Sequence, residues 1–192
     1  MYGWADQILC ATNAKRTEIN NFVRQEKGYG TEPQVGDKII SLRNHWDWAS
    51  SSGDWALTNG SIGTIEYINK QNIYVPKYIY DKGVIPYMFT DIQLDGEDKF
   101  NSIPIDYNSL LKGEMTLNPK QTYLLNKQKN LLEAPFEFAY AYAITTHKAQ
   151  GSEWDKVLVF EEWFPNIQEE HSRWLYTACT RASEKLVVIT KK

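Results

Sequence analysis

Apolar positions along this chain follow three different rhythms, and each rhythm predicts a different kind of element. Gln7-Ile-Leu-Cys-Ala-Thr12 is a short apolar run, which predicts a buried strand. Ile19, Phe22 and Val23 then recur at helical spacing, so a helix is predicted from a cap at Thr12 or Asn13 to Arg24 or a little beyond. Gly28, Gly30 and Pro33 end it. Strand followed by helix is the grammar of a parallel sheet.

The middle changes rhythm. Lys38 to Leu42, Gly63 to Ile68, Asn72 to Val75 and Met88 to Leu94 show partial alternation between Gly, Asn, Asp and Pro turns, which predicts short strands. Asn59-Gly60 is a tight-turn signal. No long helix is predicted before Asn118, so the stretch from about Pro33 to Asp106 reads as a small antiparallel barrel. Trp46 to Asp54, polar and serine-rich, reads as an exposed loop. Asn118 to Leu132 fits either a helix or an irregular connector.

At Phe136 the first rhythm returns. Phe138 to Thr145 and Lys156 to Phe160 are buried-strand patterns, Gln168 to Thr180 is a helix pattern, and Lys185 to Thr190 is a last strand. The expected architecture is therefore one α/β domain built from both ends of the chain, residues 1–32 and 133–192. A β-barrel with its connector, residues 33–132, is inserted between them.

Composition narrows the class. A hydrophobic fraction of 42% with 14% aromatics belongs to a chain that folds around a core. The net charge of −3 gives no global attraction to nucleic acid, so any such surface must be local. Lys15, Arg16, Arg24, Lys27, Lys38 and Arg43 could line a backbone path or form a solvated face. Trp46, Trp48 and Trp55 could stack on bases or fill the barrel. Cys10 and Cys179 form no C-x-x-C pair and stand in apolar runs, so two small buried residues in a reducing compartment are expected, with no metal site. There is no signal peptide and no apolar run of transmembrane length, so a cytoplasmic protein without a membrane partner is expected.

Two stretches carry candidate chemistry. Thr145-Thr-His-Lys-Ala-Gln-Gly-Ser-Glu153 follows a predicted parallel strand, where open α/β sheets bind ligands. Its hydroxyls, imidazole, glycine and carboxylate suit a phosphate and a nucleotide, or equally a plain capped turn. Thr177-Ala-Cys-Thr-Arg-Ala182 places Arg181 late in a helix. There it could neutralise charge on a transferring phosphoryl group, or simply favour the helix dipole. No G-x-x-x-x-G-K-[ST] phosphate loop occurs anywhere in the sequence.

In this order, the two stretches resemble motifs V and VI of superfamily-1 DNA helicases, and most of all the RecD/Dda-like branch, whose usual polarity is 5′ to 3′. Val35-Gly-Asp-Lys-Ile-Ile-Ser-Leu-Arg-Asn44 and Leu57-Thr-Asn-Gly-Ser-Ile-Gly-Thr-Ile65 resemble the SH3-like barrel inserted in the second RecA-like domain of that branch. Ile8 to Arg16 is similar to the strand and helix that precede it. The resemblance implies an α/β fold, a RecA-like parallel sheet with an inserted small SH3-like antiparallel β-barrel. It implies that Gln150, Gly151 and Glu153 contact the nucleotide and that Arg181 is the arginine finger. It implies that Thr146 and His147, with Thr12 and Asn13, touch single-stranded DNA. The cofactors implied are ATP and Mg²⁺, with the phosphate loop and the Mg²⁺ ligands on a first RecA-like domain outside this chain. The family's other γ-phosphate arginine has no match here, Arg16 being poorly placed. The expected protein is the C-terminal motor half of a helicase or of a RecD-like exonuclease subunit, inactive as an ATPase alone and working with other recombination or replication subunits, as in DNA repair. The alternative is a stand-alone nucleic-acid-binding or adaptor module.

Overall fold

The structure, a computed structural model, describes residues 2–54, 56–95, 98–127, 134–163 and 166–190. In chain order its elements are β1 (Gln7–Cys10), α1 (Asn13–Glu26), β2 (Lys38–Ser41), β3 (His45–Ala49), β4 (Ala56–Leu57), β5 (Ile62–Tyr74), β6 (Val84–Leu94) and β7 (Lys99–Asp106). Then follow α2 (Tyr107–Lys112), α3 (Pro119–Asn126), β8 (Phe138–Tyr140), β9 (Ala143–Thr145), β10 (Trp154–Phe160), α4 (Gln168–Cys179) and β11 (Ala182–Ile189). They gather into two compact units, residues 1–28 with 141–192, and residues 29–140.

The first unit is a four-stranded sheet in the order β9-β1-β10-β11, with every neighbouring pair parallel. β1, β9 and the second half of β10 are largely apolar and buried because both faces of such a sheet are covered there, whereas the edge strand β11 stays partly exposed. Ile8 and Cys10 pack with Ala143 and Leu158 against Ile19 and Val23 of α1. Successive strand residues point to opposite faces, so the buried Leu9, Val157 and Val159 serve the other one. α4 packs against β10. Each such side chain contributes about 1.5–3 kcal/mol by leaving water. Asn20, buried in α1, clamps the sheet edge through bonds with both the N–H and the C=O of Ala143, at 2.8 and 3.0 Å.

The second unit is a five-stranded antiparallel sheet, β7-β6-β5-β2-β8, with the short β3–β4 pair beside it. Ile39, Leu57, Ile65, Met88, Phe100 and Phe138 are among the buried residues of its main core. A second cluster, including Ile73, Ile79, Ile85 and Leu125, packs under the far end of the β5–β6 hairpin. A Cβ on Gly63 would lie 2.6 Å from the Gln93 carbonyl oxygen, so only glycine lets β5 approach β6 there. Glu137, almost fully buried, accepts from the N–H groups of Thr116 and Leu117 at 2.7 and 2.9 Å and forms an ion pair with Arg43.

Several local expectations change. Residues 63–68 and 72–74 belong to one long strand, β5, because β6 pairs alongside, with one irregularity between Ile65 and Tyr67, and the polar Asn69–Asn72 segment stays in the ladder. Trp46 to Asp54 is partly strand: in β3 Trp46 is exposed, while Trp48 is packed edge-on against Phe136 at 5.2 Å. Trp55 lies outside the described residues. Asn118 opens a true helix, α3, through a capping box with Gln121 and a proline at its start; residues 128–133 of the expected connector lie outside the described residues. α2 was not foreseen; Asp106 caps it, and Gly113 stops it in a left-handed conformation at φ 70°. The apolar run 138–145 is two strands. β8 pairs with β2, whereas β9 pairs with β1. No described helix is long and apolar enough to cross a membrane.

Candidate nucleotide and nucleic-acid site

Strand register fixes where the candidate residues stand. Cys10 pairs with Thr145, so β1 and β9 end level at the carboxyl edge of the parallel sheet. Thr12, Asn13, Thr146 and His147 follow directly from those ends. Trp154 pairs with Ala182 at the start of β10 and β11, so Glu153 and Arg181 stand at the amino edge. At about 3.3 Å per residue, Trp154 and Phe160 are separated by about 20 Å. The expectation that the whole stretch 145–153 sits at the carboxyl edge is thus corrected: it begins there and finishes at the other edge.

The connection itself is a set of overlapping turns. The Thr146 N–H and hydroxyl both donate to the Cys10 carbonyl, at 3.0 and 3.4 Å. The Thr145 carbonyl accepts from Lys148 and Ala149, and the Ala149 carbonyl from Ser152. These bonds consume the backbone N–H groups that a phosphate would otherwise use. Gly151 adopts φ 88°, and a Cβ there would meet nothing within 4 Å, so glycine serves the backbone conformation rather than close approach. His147, Gln150 and Glu153 are exposed, and among the described residues their side chains accept and donate no hydrogen bonds. Burial, and then the charge of Arg16, pushes the Lys148 ammonium down from its ordinary value.

Arg181 is not inside the helix. α4 ends at Cys179 with Thr180 as its cap, and β11 begins at Ala182. Its guanidinium donates to the carbonyls of Thr177 and Ser152, both at 3.2 Å, and to the Thr180 hydroxyl at 3.1 Å. All three bonds stay within the first unit, so the group that would serve as an arginine finger is held back against its own turn.

Thr12 caps α1 by accepting from the Lys15 N–H at 3.2 Å. Its donors are spent on Glu162, which follows β10 at the carboxyl edge. One Glu162 oxygen accepts from the Ala11 and Thr12 N–H groups at 2.7 and 3.0 Å, and the other from the Thr12 hydroxyl at 2.6 Å. A carboxylate thus holds the place where a helix start attracts anions. Asn13, beside it, is exposed. Sequence reasoning missed Glu162; the signal was a pair of carboxylates set directly after an apolar strand.

Thr146, His147 and Gln150 line a cavity of about 300 Å³. Its remaining walls come from Ala11 and from α4, through Arg173, Trp174 and Thr177 among others. The α4 residues were also missed, since their spacing reads only as an amphipathic helix. Of the basic residues singled out in the sequence, Arg16 and Arg24 are buried, Lys15, Lys38 and Arg43 are paired with Glu18, Asp95 and Glu137, and Lys27 is exposed. Cys10 is buried and its thiol is pushed up to about 12 by that burial and then by Glu162; Cys179 is only half-buried.

Residues 140–189 match the model of the UvrD-like helicase C-terminal domain. The uncharacterized protein MJ1519 of Methanocaldococcus jannaschii is 25% identical over 213 residues, covering 97% of this chain and 15% of that protein. Among solved structures, one of two coordinating Pif1 helicases unwinding forked duplex DNA is 17% identical with a TM-score of 0.51, covering 96% of this chain and 38% of that one. The Pif1 helicase from Bacteroides in complex with ADP-AlF3 and single-stranded DNA is 16% identical with a TM-score of 0.50, covering 96% and 40%. The chain therefore has a mixed α/β fold that matches the helicase RecA-like C-terminal domain, and it spans well under half the length of these relatives.

Proposed function

We propose that the chain is the C-terminal motor half of an ATP-dependent DNA helicase, or of a RecD-like exonuclease subunit, working against a first RecA-like domain that supplies the phosphate loop. The observation that carries this reading is the segment 146–153. It starts with Thr146 and His147 at the carboxyl edge, where β1 also ends just before Thr12, and it ends at the amino edge, where Arg181 stands. One short, internally bonded segment therefore touches the proposed strand-binding surface and the proposed nucleotide wall. Thr146 and His147 hold the single strand, with Thr12 and Asn13 at its margin. Gln150, Gly151 and Glu153 face the nucleotide, and Arg181 neutralises charge on its terminal phosphate.

ATP fits this chain as one wall only. In this reading Mg²⁺ is held by the partner domain together with the phosphate loop. The finer assignments are part of the same proposal. They are the RecD/Dda-like branch, the SH3-like character of residues 33–132, and the RecA-like domain formed by residues 1–32 and 133–192. The Pif1 structure carrying ADP-AlF3 and single-stranded DNA supports ATP and DNA as ligands through its fold.

The engagement of Arg181 and Thr12 within the chain favours a second reading, a nucleic-acid-binding or adaptor module without an engine. Joining the chain to a first RecA-like domain that carries a phosphate loop separates the two. DNA-stimulated ATP hydrolysis that Arg181→Ala abolishes supports the motor. Hydrolysis unaffected by Arg181→Ala, or none with an otherwise competent partner domain, supports the module.

A further inference from the structure

The cavity between the 146–150 turn and α4 is built for a flat, neutral ring. Its inner surface comes from the Ala11 methyl and the Trp174 indole, both at least nine-tenths buried. Its rim carries the His147 imidazole and the Gln150 amide, which are exposed and uncommitted, and the Thr177 hydroxyl, which donates to the Arg173 carbonyl at 2.8 Å and keeps its acceptor sites. At about 300 Å³ it stands at the small end of ligand pockets, with room for one ring system but not for a triphosphate.

Charge decides what enters. Arg173 is already paired with Glu169 at 2.5 Å, and Glu170 adds a carboxylate to the lining. A phosphate would meet a site with no surplus positive charge. A nucleobase meets apolar walls for its faces, and an imidazole, an amide and a hydroxyl for its edge. The imidazole and the amide can each donate or accept, and the hydroxyl, its proton spent on Arg173, accepts, so together they suit any base.

We infer that this cavity takes one unpaired nucleobase of the bound single strand, swung out of the stack while the backbone follows the carboxyl edge past Thr146 and His147. The inference rests on the proposed strand binding and deepens it. It adds Trp174 and Thr177 of α4 to the DNA surface and moves Gln150 from the nucleotide wall to that surface. Base–aromatic contacts of this kind are sequence-tolerant and strong enough to hold a strand in register.

The test is a fluorescence titration of the whole chain with the shortest labelled thymidine oligomer that binds fully, then with oligomers carrying one abasic residue at each position in turn. One position should lose about tenfold or more in affinity. Thr177→Trp, which fills the cavity, should weaken the intact oligomer by a similar factor and make that abasic position silent. Should Thr177→Trp fail to fold, Gln150→Ala on the rim should lose severalfold for the intact oligomer and nothing for the abasic one. Salt-dependent binding with a flat abasic scan overturns the cavity assignment alone. A cavity that instead holds phosphate would show Arg173→Ala lowering the salt slope by about one, which also overturns it. Failure of every oligomer to bind at low salt overturns the strand-binding reading together with it.

Discussion

Arg181 and Ser152 are bonded across the two helicase-like stretches: the arginine guanidinium donates to the Ser152 carbonyl at 3.2 Å. Two residues further on, the Trp154 N–H returns a bond to the Arg181 carbonyl at 2.9 Å. The arginine is therefore a structural tie at the amino edge of the sheet before it is anything else. Any transfer of its guanidinium to a phosphate must release three bonds inside the chain.

That double role makes a divided prediction. Arg181→Ala in the chain alone should cost about 1–2 kcal/mol from the lost hydrogen bonds, lowering the melting temperature by about 2–8 °C. In a protein joined to a phosphate-loop domain, the same change should cut ATP turnover by about 10³-fold or more, with single-strand affinity within about twofold. Melting curves and steady-state hydrolysis read the two effects separately. Equal loss of turnover and DNA affinity would leave the arginine only its structural role.

Glu162 gives the second prediction. Glu162→Gln keeps an acceptor for Thr12 but removes the charge that strengthens those bonds. Thermal stability should fall by about 1 kcal/mol. Affinity for a single-stranded oligomer should rise severalfold, because a negative charge leaves the edge where the strand is proposed to pass. Unchanged affinity in a low-salt titration would place the DNA away from α1.

His45 supplies a pH dependence. It stacks on Phe136 with ring centroids 3.5 Å apart, and burial, then the nearby Arg43 charge, pushes its pKa down to about 4. The unfolded chain binds that proton near pH 6.5. Between about pH 6.5 and 4 the unfolded state therefore holds more protons, and stability falls as pH drops. Above that window the histidine is neutral in both states and the effect is flat. The urea midpoint should decline on acidification through this window, and His45→Phe should decline less. Parallel curves for the two proteins would refute the assignment.

Gly63 tests the second unit on its own. Gly63→Ala places a Cβ against the Gln93 carbonyl and 2.7 Å from the Ile92 side chain, where backbone must shift. A loss of about 1–3 kcal/mol is expected. Gly151→Ala meets no neighbour, and should cost only the left-handed backbone strain of about 1–2 kcal/mol. A chemical-denaturation series ranks them; a milder Gly63→Ala would contradict the packing.

Much of this molecule was legible from periodicity, and the misses have definite causes. Leu9, Val157 and Val159 announce a two-sided parallel sheet because every position in those runs is apolar. Ile19 and Val23 announce α1 because only one of its faces is buried. The run from Phe138 to Thr145 misleads because apolar residues do not reveal which strand will pair with them, so the change of partner after Tyr140 is invisible. Asn69 to Asn72 looks like a turn because polarity marks exposure, and an exposed stretch of a long hairpin is just as polar. At the candidate site, residue types singled out Thr146, His147 and Arg181, and the strand pattern set the first two at the carboxyl edge, but it did not set Glu153 and Arg181 at the amino edge. That placement follows from the Trp154–Ala182 register, a long-range relation that no local pattern carries. Glu162 and Trp174 were hidden for the same reason, each becoming informative only beside residues distant in sequence.

The buried Cys10 thiol has a kinetic consequence. With its pKa near 12, it carries almost no thiolate at neutral pH and lies out of reach of solvent reagents. A thiol reagent can modify it only when the β1–β9 edge opens, so the rate of its labelling measures how often that edge opens. Cys10 is thus a built-in clock for the strand ends that carry Thr12 and Thr146. A ligand that grips them should slow it.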